Sequence, residues 1–252
     1  MTAAGANPVI DRSMDKLREI EDKIRKLFDQ VNSVMSWVPD VLSDLIEPVR
    51  RVMNELDQKV TELWEATKNF VTDRGDPARL RQVAAEWSDR IGSSIGEIAG
   101  SVSLDKLKTN IEWSGKAAET YKVTVPAQVA GLNSLKDLGL QIRNSLVNLA
   151  NGLESFWTQI YGTLAALGIA VAAAVVSTMS VVGIPAAIVI LIGAIGAGIA
   201  SIFTTISAVD SLTNSIGVEQ TAIQDKVNSL GATWPKTDTE SMSHPTDWKR
   251  QP

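Results

Sequence analysis

The chain has one histidine, His244, and no cysteine. A zinc site needs several thiolates or imidazoles, and a histidine-based triad needs a nucleophile and an orienting acid in reach of the ring. His244 stands beside Pro245 in a polar stretch, so neither chemistry is expected. Acids and bases recur at pairing distance along the chain, as in Glu19 with Lys23 and Asp22 with Lys26, the separation of neighbours on one helix face. No glycine-rich loop follows a strand-like segment, so a phosphate cradle is not expected either. These patterns predict no enzyme, no cofactor and no metal. The chemistry on offer is partition out of water: residues 155–209 contain no Asp, Glu, Lys, Arg or His.

A bilayer core is about 30 Å thick and takes about 20 helical residues to cross. The uncharged run accommodates two such arms, 162–182 and 185–207, joined by a turn at Val182-Gly183-Ile184-Pro185. Leu164, Leu167, Val171 and Val175 mark the first arm; Val189, Leu191, Ile195, Ile199 and Phe203 mark the second. Trp157 and Tyr161 stand at the entrance, where aromatic rings suit a membrane interface. Gly193, Ala197 and Ser201 recur every fourth residue, a stripe that lets helices pack closely in a bilayer or an oligomer. Ser177, Thr178 and Ser180 make the first arm the less apolar of the two. The nearest charges, Glu154 and Asp210, are acidic, and the nearest upstream cation is Arg143, so the positive-inside signal is poor. The tip carries no charge to drag across, which suits insertion after synthesis. A hairpin buried in a soluble bundle fits the same composition, because a helix apolar all round can be either.

The elements around this run are amphipathic. In residues 11–38 the positions Leu17, Ile20, Ile24, Leu27, Val31, Val34 and Met35 follow a single helical face. Pro39 interrupts that helix and Asp40 is placed to cap the next, whose stripe runs from Leu42 and Leu45 through Val49, Met53 and Leu56 to Leu63, with a kink expected at Pro48. Asp73-Arg74-Gly75-Asp76-Pro77 is a boundary: glycine to end one helix, a capping acid, and proline at the first position of another. That helix is expected over 77–111, with Gly92, Gly96 and Gly100 either a close-approach face or a locally weak helix. After Trp113-Ser114-Gly115 a long helix restarts at Lys116, with a kink expected at Pro126, and can run straight into the apolar arms. An amphipathic helix resumes over 210–230, ending at Trp234-Pro235 before a polar tail. Trp64, Trp87 and Trp113 are expected in the core. The fold class is all-α, an elongated helical bundle of long amphipathic helices around a central hydrophobic hairpin. The expected segments are 1–72, 73–158, 159–209, 210–235 and 236–252.

Gly115 frees the backbone at the turn, and the Trp113 indole can close the open end of a two-helix hairpin. The segment opens on Gly75-Asp76-Pro77-Ala78-Arg79-Leu80, continues with Ala84-Ala85-Glu86-Trp87, and turns at Trp113-Ser114-Gly115-Lys116-Ala117-Ala118-Glu119-Thr120-Tyr121. Over about residues 73–157 this combination resembles the WXG family of small helical-hairpin proteins in its actinobacterial version. The resemblance implies a substrate or partner of type VII secretion and a helical scaffold, with no chemical activity. The family's export signal, Tyr-X-X-X-Asp/Glu, does not occur: Tyr121 is followed four residues on by Val125, and Tyr161 by Ala165. Two alternatives follow, no export by that system or export with a partner carrying the signal. In plan, not in sequence, long helices around one apolar hairpin also resemble the α-helical pore-forming toxins of the cytolysin A and tripartite haemolysin type.

A net charge of −5 and a pI near 5.0 give no basic field for nucleic acid. Met1-Thr2-Ala3-Ala4-Gly5 has no basic n-region or apolar h-region, so no Sec-type signal peptide is predicted. The expected partners are a lipid bilayer and either further copies of the chain or another helical secreted protein. The expected location is secreted or at the cell surface by a non-Sec route, with the cytoplasmic membrane as the alternative. Two functions stay open: an oligomeric, pore-forming insertion protein, and a non-lytic tether that docks another secreted protein.

Overall fold

Asn7 and Pro8 start the first helix: the Asn7 side-chain oxygen accepts the Val9 N–H at 3.0 Å, and proline's missing donor is harmless in a first turn. The computed structural model describes residues 7–37, 43–72, 74–107, 112–177, 184–233 and 249–250. It is all-α, with long helices packed against one another. Helix α1 (Pro8–Ser36) is followed by α2 (Ser43–Thr72), α3 (Pro77–Glu86), a π-helical segment (Trp87–Ser93), α4 (Ser94–Ser101), α5 (Lys116–Ser177) and α6 (Ile184–Thr233). Extended pairing among the described residues is limited to Trp113–Ser114 (β1) against Lys249–Arg250 (β2), antiparallel. Pro39, Asp40, Ile111, the tip residues Thr178, Ser180, Val182 and Gly183, Trp234, Pro235 and His244 lie outside the described residues.

Helix α2 contains Pro48 and α5 contains Pro126, so neither proline ends its helix. The helix expected over 77–111 differs more. It runs without interruption through α3, the π-helical segment and α4, and ends at Ser101. Gly92 falls inside the π-helical stretch, a tolerated local widening where a residue of weak α propensity costs little, whereas Gly96 and Gly100 sit in regular α-helix. Gly92 lies against α5 at ordinary contact distance, since a Cβ added at Gly139 would stand 3.7 Å from the Gly92 nitrogen.

The chain forms two compact units, Met1–Ala78 with Asn151–Leu212, and Arg79–Ala150 with Thr213–Pro252. In the first, α1 and α2 turn their apolar stripes onto the end of α5 and the start of α6. Ile20, Leu27, Leu56, Leu63, Trp157, Ile160, Leu164, Ile188, Leu191 and Ile195 are fully buried there, in one continuous cluster. Among the described residues of the second unit the buried apolar ones are Ala84, Ala99, Ala118, Val125, Leu138 and Ala150, mostly small side chains. Trp64 packs against the first unit's cluster as a partly buried ring, and Trp87 and Trp113 are half-buried in the second.

Candidate functional site

The apolar run forms an antiparallel pair of helix segments, the end of α5 and the start of α6, in the first unit. Its root is an aromatic cluster. The Trp157 ring lies 5.7 Å from Phe70 and 5.6 Å from Phe156, both edge-to-face, and Phe70 meets Phe156 at 5.8 Å. The indole N–H donates to the Arg74 carbonyl at 2.9 Å, tying the segment that leaves α2 to the base of the pair. Next to it Gly75 has φ +69°, and a Cβ there would fall 2.4 Å from Leu153 Cδ2. The left-handed backbone favours glycine, and any side chain there would also have to displace the Leu153 tip.

The two segments are in tight contact at Gly198, where a Cβ would stand 2.8 Å from Leu167 Cδ1. Beside this point the Thr163 and Ser201 hydroxyls share a hydrogen bond at 2.9 Å. One face of the pair is covered by α1 and α2, burying Leu164, Leu167, Val171, Ala174, Ile184, Ile188, Leu191, Ile195 and Ile202. The other face is open. Ile169 is 73% exposed, Ile190 72% and Val189 55%, and Val176 and Phe203 are also exposed. Residues 164–176 and 184–200 contain no polar side chain. Both α5 and α6 are long and apolar enough to cross a membrane, and only a third of the most apolar stretch in each is buried.

Alpha1 crosses the covered face at Gly168. A Cβ there would meet Lys16 Cδ at 3.4 Å and Ile20 Cγ1 at 3.8 Å, so the lysine stem lies over the hairpin backbone. Its ammonium ends on Glu19, which also accepts from Lys23 at 2.6 Å. Hydrogen bonds from Lys16 and then Lys23, with the charge of both, hold the Glu19 carboxyl down at about 2. Beneath the start of α1, the Ser13 hydroxyl donates to the Val9 carbonyl at 2.8 Å and lies 3.5 Å from the Trp157 carbonyl.

The sequence-derived site residues therefore divide by face. Leu164, Leu167, Val171, Leu191 and Ile195 are buried; Val175, Pro185 and Ile199 are half-buried; Val189 and Phe203 are exposed. Val182 and Gly183 lie outside the described residues. Gly193, Ala197 and Ser201 all face outward; nothing lies within 4 Å of a Cβ at Gly193, while Ala197 and Ser201 border an open groove of about 450 Å³ with Thr163 and Ala166. Trp157 is 1% exposed and Tyr161 half-buried. At the turn, Gly115 has φ +101° and the Trp113 ring meets Tyr121 at 5.8 Å. Sequence reasoning gave Arg74 only a place in a helix boundary, missed Gly168, and did not single out Gly198 as a contact point. Small residues inside an apolar run were visible, but which of them meets a neighbour depends on helix rotation.

Among the described residues no group of three or more His, Asp or Glu side chains could hold a metal ion. Compared with models of known protein families, with curated proteins and with solved structures, the chain matches none.

Proposed function

We propose that this chain is a membrane-inserting helical protein whose apolar hairpin, the end of α5 and the start of α6, is the inserting element. The observation that carries the reading is the open face: Ile169, Val176, Val189, Ile190 and Phe203 point away from the bundle on two helices of membrane-spanning length. A hairpin that served only as a soluble core would be enclosed on both sides. Large exposed apolar patches mark interaction surfaces, and an uncharged one of this length suits hydrocarbon. The Trp113-Ser114-Gly115 turn and its flanking helices support delivery linked to type VII secretion, either as cargo or beside a partner that carries the export signal.

A non-lytic tether is the second reading, and the lining favours it over a wide pore. An aqueous lumen needs polar side chains along its length, yet the polar groups of the described arms sit near their ends, at Thr163, Ser177, Ser201, Thr204, Thr205 and Ser207. Flotation of purified protein with phosphatidylcholine–phosphatidylglycerol vesicles, followed by alkaline washing, tests insertion. We expect a vesicle-bound fraction that survives both high salt and alkali, because the chain is acidic and its attraction is apolar. Trapped-dye release then separates pore from tether. Protein that stays in solution at every pH and lipid composition would exclude both.

A further inference from the structure

The face of the hairpin buried under α1 and α2 is as apolar as the open face, and a membrane-spanning hairpin must present both to lipid. The contact with α1 is of a particular kind. Every ion pair of α1 among the described residues is internal to that helix: Lys16–Glu19, Arg18–Asp15, Lys23–Glu19 and Arg25–Glu21. The only hydrogen bond from α1 to the hairpin in the described residues is the 3.5 Å approach of Ser13 to the Trp157 carbonyl, and Ser13 already donates to Val9. The rest is apolar packing by Met14, Leu17, Ile20, Ile24, Leu27 and Val31. Such a contact is non-directional, and acyl chains can replace it without stranding a buried polar group.

Helix α2 is held differently. Phe70 packs in the root cluster and the Arg74 carbonyl just beyond α2 accepts the Trp157 indole, so its C-terminal end is fixed to the hairpin base. The charges of α1 also forbid its company in a bilayer. Lys16 lies across Gly168, well inside the first arm, and Glu19 and Lys23 follow on the same helix. Charged side chains at that depth are strongly disfavoured unless they reach water.

We propose that α1 is a displaceable cover over Gly168, and that its separation from α5 commits the hairpin to the bilayer. This rests on the membrane-insertion reading above. The open face makes first contact with lipid; α1 then swings off, with the Arg74–Trp157 tie keeping α2 anchored at the base. The chain has no cysteine, so a lock can be placed cleanly. Ile20→Cys with Gly168→Cys joins α1 to α5 where the two already touch, and Lys16→Cys with Gly168→Cys is a second lock that leaves the core isoleucine in place.

Each pair, shown by circular dichroism to be helical when oxidised and reduced, is mixed with phosphatidylcholine–phosphatidylglycerol vesicles and washed with alkali. The oxidised forms should lose the alkali-resistant fraction at least tenfold, and dithiothreitol should restore it. Flotation before the alkaline wash should persist, because the open face is untouched. Equal alkali resistance in the oxidised and reduced forms would overturn the cover while leaving the membrane reading intact. If the unmodified protein itself never becomes alkali-resistant, both fall together. If one pair does not fold, the other decides.

Discussion

Trp157 shows what a single residue does in two places at once. As a ring it fills the root of the hairpin, and as a donor it ties the segment after α2. Trp157→Ala should cost about 3–5 kcal/mol in urea unfolding, whereas Trp157→Phe removes chiefly the hydrogen bond and should cost about 1–2 kcal/mol. The glycines of α6 give an opposed pair of outcomes. At Gly198 a methyl would collide with Leu167, so Gly198→Ala should destabilise by about 1–3 kcal/mol. At Gly193 a methyl meets nothing, so Gly193→Ala should stabilise by up to about 1 kcal/mol through helix propensity. Glu19 makes a pH prediction. Its folded pKa, about 2, lies below the ordinary value of 4.5, so its pairing with Lys16 and Lys23 contributes fully above 4.5 and is lost as pH falls towards 2. Glu19→Gln should flatten that part of a pH–melting profile and leave the profile above pH 5 parallel to the parent's.

At the scale of the element, the hairpin has two faces with different obligations. Val189 is on the open face and Ile195 is fully buried, although both lie mid-helix in the same uncharged run. Val189→Asp should leave a soluble, folded protein with a thermal midpoint close to the parent's. The charge should then abolish alkali-resistant membrane association, since it costs about 2.5–3.5 kcal/mol at mid-bilayer. Ile195→Asp should fail to fold, because the carboxylate enters the core unpaired. Circular dichroism and flotation on the two variants check this. Loss of fold in Val189→Asp would mean that the open face is covered in solution. The hairpin's length and lack of charge were legible in the sequence because they are properties of composition. Its faces were not, since the uncharged arms have no polar side that would reveal their rotation. By contrast α1 and α2 announced their buried stripes, Leu17 to Val31 and Val49 to Leu63, through the charges on their other sides.

The two compact units differ in how much they bury. The first contains the fully buried large side chains, from Ile20 and Leu27 to Trp157 and Ile202; the second is closed mainly by alanines with Val125 and Leu138. Low burial means a low local opening free energy. Backbone amides of α3, α4 and the 116–150 part of α5 should therefore exchange hydrogen at least tenfold faster than those of α1 and the 156–174 part of α5. Exchange mass spectrometry reads this directly, and uniform protection across both units would contradict it. The Trp113 turn belongs to the looser unit, and its ring is half-buried against Tyr121. Trp113→Ala should accordingly lower stability by about 1–2 kcal/mol, nearer the value of one aromatic pair than of a core tryptophan.

The all-α class, the amphipathic faces of α1 and α2, the glycine boundary at Gly75 and the uncharged hairpin were determined by the sequence alone. Each follows from local propensity or from the spacing of polar against apolar residues, which needs no knowledge of neighbours. Tertiary structure decided what the hairpin does with its surface. It placed α1 over Gly168 and left Ile169, Val189 and Ile190 open. It closed the hairpin at Gly198 while turning Gly193 outward, and drew Trp157 from an expected interface into the core. The reason is physical: within residues 164–176 and 184–200, where every side chain is apolar, water expresses no preference for one face, so only the shapes of the packing partners choose which side is hidden.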